Sequence, residues 1–127
     1  MSRKYYCCLF ILTLICAPVL AHHSHAGYNP DERFTLQGTI TDVFWGNPHI
    51  LFTVNDGEKD VRIEWITTTG AVVTNVSEQQ LNKGDTITVI GSRNPDPSIH
   101  TMALVKELLM PDSQWHWISP SIKGKNR

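Results

Sequence analysis

Segments in which apolar and polar residues alternate constrain the fold of this chain more than any other feature. In the first of them Phe34, Leu36, Ile40 and Phe44 alternate with threonine and glutamine, which predicts that these four share one face. A period of two places successive side chains on opposite faces of a β-strand. We interpret the ranges 34–44, 50–54, 61–65 and 101–109 as strands, and a further strand begins with Ile87 and Val89. The last range also has a helix-like second half, Lys106-Glu107-Leu108-Leu109, but its first half favours a strand. The chain is therefore predicted to be all-β.

The connections between these strands favour one architecture. Asn55-Asp56-Gly57 is a hairpin signal. Ser77-Glu78-Gln79-Gln80 resembles a capping box and predicts a short helix before Gly84. Gly38 suggests a bulge or tight bend in the first strand. Three strands, a short helix and two more strands are the order of a small five-stranded OB-like barrel, with an open β-sandwich as the alternative.

The N-terminal segment has the pattern of a secretory signal. Arg3 and Lys4 precede an apolar run over 5–16, and Val19-Leu20-Ala21 provides a cleavage site. We expect cleavage after Ala21, which leaves no membrane span and removes all three cysteines. The predicted location is therefore periplasmic or secreted, and thiolate chemistry is excluded from the mature chain.

The rest of the chain divides into a His-rich arm (22–33), the OB-like barrel (34–110) and a tail (111–127). We expect Trp115 and Trp117 to dock the tail onto the barrel. Loss of Arg3 and Lys4 takes the formal net charge from −1 to about −3 and leaves no basic stripe, which argues against nucleic acid as a partner. Enzyme signatures are missing, so a non-enzymatic role is favoured while catalysis stays open.

Histidines are the strongest candidates for chemistry. His22, His23 and His25 fall within four residues at the expected new N-terminus. Neutral imidazole suits copper, nickel and zinc, and copper(II) is the strongest binder of the divalent series. We expect the arm to fold back on the barrel and share a metal with His49, which follows Asn47-Pro48 and should point away from the buried face. His100 is a further candidate ligand. The alternative is a polar arm whose histidines only contact water.

Two other functions compete with metal binding. A non-metal module would hold a small ligand or a protein of the cell envelope against Trp45, Asn47 and Trp65, although a purely structural turn also explains the first two. An enzyme could instead use a copper centre on the N-terminal histidine for oxidation.

Three motifs give the chain a resemblance to a known family. They are Ala21-His22-His23-Ser24, Trp45-Gly46-Asn47-Pro48-His49 and Lys83-Gly84-Asp85. With them the chain resembles a family of small exported bacterial proteins of unknown function, over roughly residues 21–110. Members usually have an aromatic residue soon after His-His-Ser, whereas this chain has His25. The resemblance implies a bacterial periplasmic or secreted protein and no particular activity, cofactor or partner.

Overall fold

The computed structural model describes residue 25 and residues 27–123, and confirms the OB-like barrel. The strands are β1 (Phe34–Phe44), β2 (Leu51–Asn55), β3 (Asp60–Glu64), β4 (Thr86–Arg93), β5 (Thr101–Met110) and β6 (Trp115–Ile118). The helices are α1 (Thr68–Val73), a 3₁₀ turn (Glu78–Gln80) and α2 (Pro120–Lys123). The expected signal peptide, His22 and His23 lie outside the described residues.

The strands form one sheet that closes on itself. Neighbouring strands follow the order β3-β2-β1-β4-β5-β6, and every pair in this order is antiparallel. A short parallel pairing between β3 and β5 closes the barrel, where Arg62 pairs with Thr101 and Ile63 pairs with Met102. The range 101–109, which was ambiguous in sequence, is therefore a strand that completes the closure.

Strand β1 is shared between two neighbours and bends to reach both. Its first half pairs with β4 and its second half with β2, with a register shift between Ile40 and Asp42. The bulge falls there and not at Gly38. Gly38 instead allows a close backbone approach, because a Cβ atom there would lie 2.1 Å from the carbonyl oxygen of Asn55.

The bulge also changes which side chains of β1 face the core. Up to Ile40 the predicted alternation holds, and Leu36 and Ile40 are buried. Beyond the bulge the phase moves by one residue, so that Val43 packs against the core while Phe44 is 53% exposed. The expectation that Phe44 shares the buried face of Leu36 and Ile40 was therefore wrong.

The connection between β3 and β4 holds the predicted helical turn and one helix that was not predicted. At the 3₁₀ turn the backbone N–H of Ser77 donates to Oε1 of Gln80 over 2.7 Å, as the capping box predicted. The additional helix, α1, begins after Thr67, whose hydroxyl accepts a hydrogen bond from the Gly70 N–H over 2.9 Å. Its threonines and valines are β-branched residues, which favour strands over helices, so the sequence pattern does not indicate a helix here.

The tail packs on the barrel, as expected, and does so as a strand. β6 pairs with the end of β5, and Trp117 is buried with 5% exposure. Its ring meets that of Trp65 edge to face with centroids 5.1 Å apart, and Trp115 contacts Trp65 from another side at 6.2 Å. The core of the barrel therefore extends beyond residue 110.

In the part of the chain that the structure describes, no helix is both long and apolar enough to cross a bilayer.

Candidate metal centre

Three side chains from separate segments meet on the outer surface of the barrel. They are His25 of the arm, His49 of the turn between β1 and β2, and Glu64, the last residue of β3. Their donor atoms all lie within 4.8 Å of one another. Oε1 of Glu64 is 2.7 Å from Nδ1 of His49 and 3.3 Å from Nε2 of His25.

The pairing of β2 with β3 places His49 and Glu64 side by side. The backbone of Ile50 bonds to both Trp65 and Ile66, at 3.0 and 2.8 Å. Ile50 and Trp65 point into the core, with exposures of 0% and 4%. Since side chains alternate along a strand, the preceding residues, His49 and Glu64, point outward together. The predicted outward direction of His49 agrees with this placement.

His25 reaches the other two residues because the arm is fixed to the barrel further along the chain. The hydroxyl of Tyr28 hydrogen-bonds to Oγ1 of Thr101 at 2.7 Å and accepts from Nδ2 of Asn94 at 3.1 Å. Glu32 then accepts two side-chain hydrogen bonds from Arg93, at 2.6 and 2.8 Å. These contacts hold the arm against β4 and β5, with His25 only three residues from the first of them.

One nitrogen of the cluster has an unfilled bonding capacity. Nε2 of His25 is inaccessible to solvent and makes no hydrogen bond to the described residues, although Glu64 is close. Buried polar atoms in proteins normally have a partner, and a missing one is a common sign of an absent water or ion. The side chains as wholes are 22–34% exposed, so an ion could enter from solvent.

Two imidazoles and one carboxylate form a recognised donor set for transition metals. Zinc sites with three protein ligands use this combination and leave a fourth position open for water or substrate. The same donors also suit copper(II) and nickel(II), because imidazole binds all three ions well. The residues present therefore fit a divalent transition-metal ion in an open site.

His100, the other candidate ligand among the described residues, does not join this group. His100 is exposed in the loop just before β5 and lines a groove there. Among the residues that the structure describes, the cluster within 4.8 Å contains only His25, His49 and Glu64. The sequence neighbour Met102 is a core residue with 1% exposure.

The residues proposed for a non-metal ligand are not gathered into one surface. Trp65 is 4% exposed and packs among other aromatic rings, so its role is in the core. Trp45 is partly buried against the same core. Asn47 is exposed, and its Oδ1 accepts a hydrogen bond from Thr68 Oγ1 at 2.7 Å, which ties the turn to the start of α1.

Glu64 is the site residue that sequence analysis missed. The Asn55-Asp56-Gly57 turn contained enough information to find it. In the observed hairpin Asn55 pairs with Asp60, and continuing that register opposes Leu51 to Glu64, beside His49. A search for carboxylates paired along the sequence misses such a cross-strand neighbour.

The fold and the cluster define a small OB-like barrel with two histidines and a glutamate gathered on its outer surface, close enough together to hold a metal ion. Comparison with known proteins adds a family: the chain belongs to a family of unknown function (DUF6152), whose sequence profile matches residues 11–103. This confirms the predicted membership of an uncharacterised family. No curated protein gives a significant match to the sequence.

Two solved structures are similar in their chain path. One is the S. pombe Stn1–Ten1 complex, with a TM-score of 0.49, 15% identity and coverage of 73% of this chain and 63% of the other. The other is a ZRD-deleted mutant of TiaS in complex with agmatine, with a TM-score of 0.43, 21% identity and coverage of 61% and 21%. The chain thus spans less than two thirds of either protein, and similarities at this level do not bear on function.

Proposed function

We propose that this protein is an exported metal-binding module that holds a divalent transition-metal ion with His25, His49 and Glu64. The observation that supports this most directly is the convergence of three donor atoms within 4.8 Å from three separate segments of the chain. Two of these residues, His25 and His49, were candidate ligands on sequence grounds alone.

The geometry around Glu64 favours a metal over a purely structural ion pair. Both histidines approach the same oxygen, Oε1, at 2.7 and 3.3 Å. Ion pairs at partly exposed positions contribute little to stability, about 0–1 kcal/mol. A metal ion would engage Nε2 of His25, which makes no hydrogen bond to the described residues, and would bind both imidazoles in their neutral form.

Copper(II) is the ion we favour, with zinc and nickel as alternatives. Copper(II) binds nitrogen and oxygen donors more tightly than the other divalent ions of its series. If the chain is cleaved after Ala21, as the signal pattern predicts, the α-amine and ring of His22 and the ring of His23 lie two or three residues before His25. They could then supply further donors to the open side of the ion.

We favour a binding role over catalysis because the sequence carries no enzyme signature. The cluster is 22–34% exposed, and three protein ligands leave a position for exchange with solvent or a partner. We therefore propose reversible metal binding in the bacterial periplasm or outside the cell.

Isothermal titration calorimetry with copper(II) and with zinc(II) at neutral pH measures the affinity of the site for each ion. The variants are His25→Ala, His49→Ala and Glu64→Gln, and the control is His116→Ala. His116 is a matched control because it also contacts a carboxylate, Glu107, at 3.1 Å, but lies on β6 outside the cluster.

Each cluster variant is expected to lower the affinity at least about tenfold, which corresponds to ~1.4 kcal/mol. The control should bind as the wild type does. Acidification should release the ion, because imidazole must be deprotonated to bind. Unchanged affinity in both His49→Ala and Glu64→Gln would show that the barrel contributes no ligands.

The mass of the secreted protein tests whether the chain is exported and where its signal peptide is cleaved. A chain that begins at His22 is expected. A mature N-terminus downstream of His25 would remove an essential ligand and contradict the proposed site.

A further inference from the structure

A second region of the barrel has the properties of a small-molecule site. A groove of about 530 Å³ lies between the arm, the β2–β3 hairpin and the loop that joins β4 to β5. Its deepest side chains are apolar core residues, Leu36, Val61 and Met102, and Phe34 and the 48% exposed Ile99 continue the apolar lining. Pockets of 300–1,000 Å³ with such linings are typical of sites for small organic molecules.

The carboxylates at the rim of this groove are already engaged within the protein. Both oxygens of Glu32 accept hydrogen bonds from Arg93, one from its backbone and the other from its guanidinium. Oδ1 of Asp56 accepts from the backbone N–H groups of Glu58 and Lys59, both at 2.9 Å. These hydrogen bonds hold the pKa of each carboxyl below its ordinary value, so both stay charged and bonded.

Two hydrogen-bond donors, the ammonium of Lys59 and the ring of His100, lie at the same rim, and Lys59 also acts on Asp56 through its charge. Neither the ammonium of Lys59 nor the ring of His100 makes a hydrogen bond or ion pair with another described residue, and both residues line the groove. The rim therefore presents hydrogen-bond donors to a ligand, whereas its carboxylates already accept hydrogen bonds within the protein. A ligand that matches such a groove carries an anionic acceptor at one end and an apolar body at the other.

We propose that the groove binds a small amphipathic organic acid. Its carboxylate lies at Lys59 and His100, and its hydrocarbon body covers the apolar lining between Ile99 and Met102. This site is separate from the metal centre and does not depend on it, since none of the three metal-binding residues lines the groove.

Binding of decanoate, compared with the neutral decan-1-ol, tests the proposal on the purified protein. Amide chemical shifts in ¹⁵N NMR spectra report both the affinity and the place of binding. We expect saturable one-to-one binding of decanoate, with shifts centred on Gly27 and Ile99, and binding of decan-1-ol that is at least about threefold weaker. Absence of saturable decanoate binding would overturn the proposal.

Two exposed substitutions with matched controls locate the site. Ile99→Glu should weaken decanoate binding at least about tenfold, because it places a charge in the apolar lining and repels the ligand's carboxylate. Lys59→Gln should weaken it about threefold, as expected for one exposed charge contact.

The controls make the same chemical changes elsewhere. Val72→Glu alters an apolar residue of α1 that is 78% exposed, and Lys83→Gln removes an exposed lysine that does not line the groove. Both should bind decanoate as the wild type does. Equal losses in Ile99→Glu and Val72→Glu, or in Lys59→Gln and Lys83→Gln, would show non-specific association and refute the site.

Discussion

Replacing Glu64 by glutamine distinguishes a metal ligand from an ordinary ion-pair partner. The substitution keeps the shape of the side chain and replaces a charged oxygen with a neutral amide. In the structure that oxygen lies 2.7 Å from His49 and 3.3 Å from His25, so both contacts lose their charge complement at once. The two interpretations predict different magnitudes for two separate quantities.

For metal affinity the expected loss is large. Substitution of residues that only orient metal ligands typically lowers affinity 10–100-fold, that is by about 1.4–2.8 kcal/mol. A direct, charged ligand should cost at least as much. For the stability of the metal-free protein the expected loss is small, about 0.2–1 kcal/mol, because the groups are partly exposed and solvent screens their interaction.

Calorimetric titration with zinc(II) measures the first quantity, and urea unfolding in the presence of a chelator measures the second. The account predicts at least about tenfold weaker metal binding with nearly unchanged metal-free unfolding. The reverse result is unaltered metal affinity with a loss of several kcal/mol in the unfolding free energy of the metal-free protein. It would identify Glu64 as a structural residue and refute its role as a metal ligand.

Two further predictions concern the fold. Trp117→Ala should lower the free energy of unfolding by about 3–5 kcal/mol in urea denaturation, because it leaves a cavity beside Trp65 in the core. Trp117→Phe should cost less. A loss below about 1 kcal/mol for Trp117→Ala would show that β6 is not part of the core. Hydrogen bonds from Arg93 lower the pKa of Glu32, so its charged form stabilises the folded state. Glu32→Gln should therefore be less stable than the wild type at neutral pH. The difference should shrink as the pH falls below the ordinary glutamate value of about 4.3 and vanish below the lowered native pKa. Urea unfolding across this pH range measures it, and a difference that grows on acidification would contradict the assigned interaction.

The order of the barrel strands could be predicted because each strand carries its own signal. In β2 and β3 the alternation of apolar and polar residues, together with the turn between them, specifies a hairpin. The folded barrel contains this hairpin unchanged. The bulge at Ile40–Asp42 could not be predicted in the same way, since it depends on how β1 must bend to pair with two neighbours. As a result Phe44 was assigned to the wrong face.

The helix α1 and the strand β6 were missed for a related reason. Threonine and valine have low helix propensity, and α1 forms because Thr67 caps it and Ala71 is buried. The segment 115–118 is short, and only pairing with β5 makes it a strand. In both cases tertiary contacts decided the local structure.

Two of the three residues in the described cluster were predicted from the sequence. His25 and His49 were recognised by residue type, because histidine is the commonest transition-metal ligand in proteins. Glu64 gave no such signal, since an outward glutamate in a strand is usually only a solvated residue. Its significance comes from the hairpin register, which brings it beside His49, and from the docking of the arm through Tyr28.

The arm contributes to both proposed sites. His25 belongs to the metal centre, while Gly27 and Asn29 line the groove between the β2–β3 hairpin and the β4–β5 loop. The hydrogen bond from Ser92 Oγ to the backbone oxygen of Asn29 fixes the arm between them. The position of this one segment therefore determines the geometry of each site.

Anomalous diffraction from crystals of the zinc-loaded protein, recorded at the zinc absorption edge, tests the central proposal most directly. The account predicts a single strong peak about 2.0–2.2 Å from Nε2 of His25, Nδ1 of His49 and a carboxylate oxygen of Glu64. A peak at His116 and Glu107, or one bound only by residues 22–25 and away from the barrel, would contradict it.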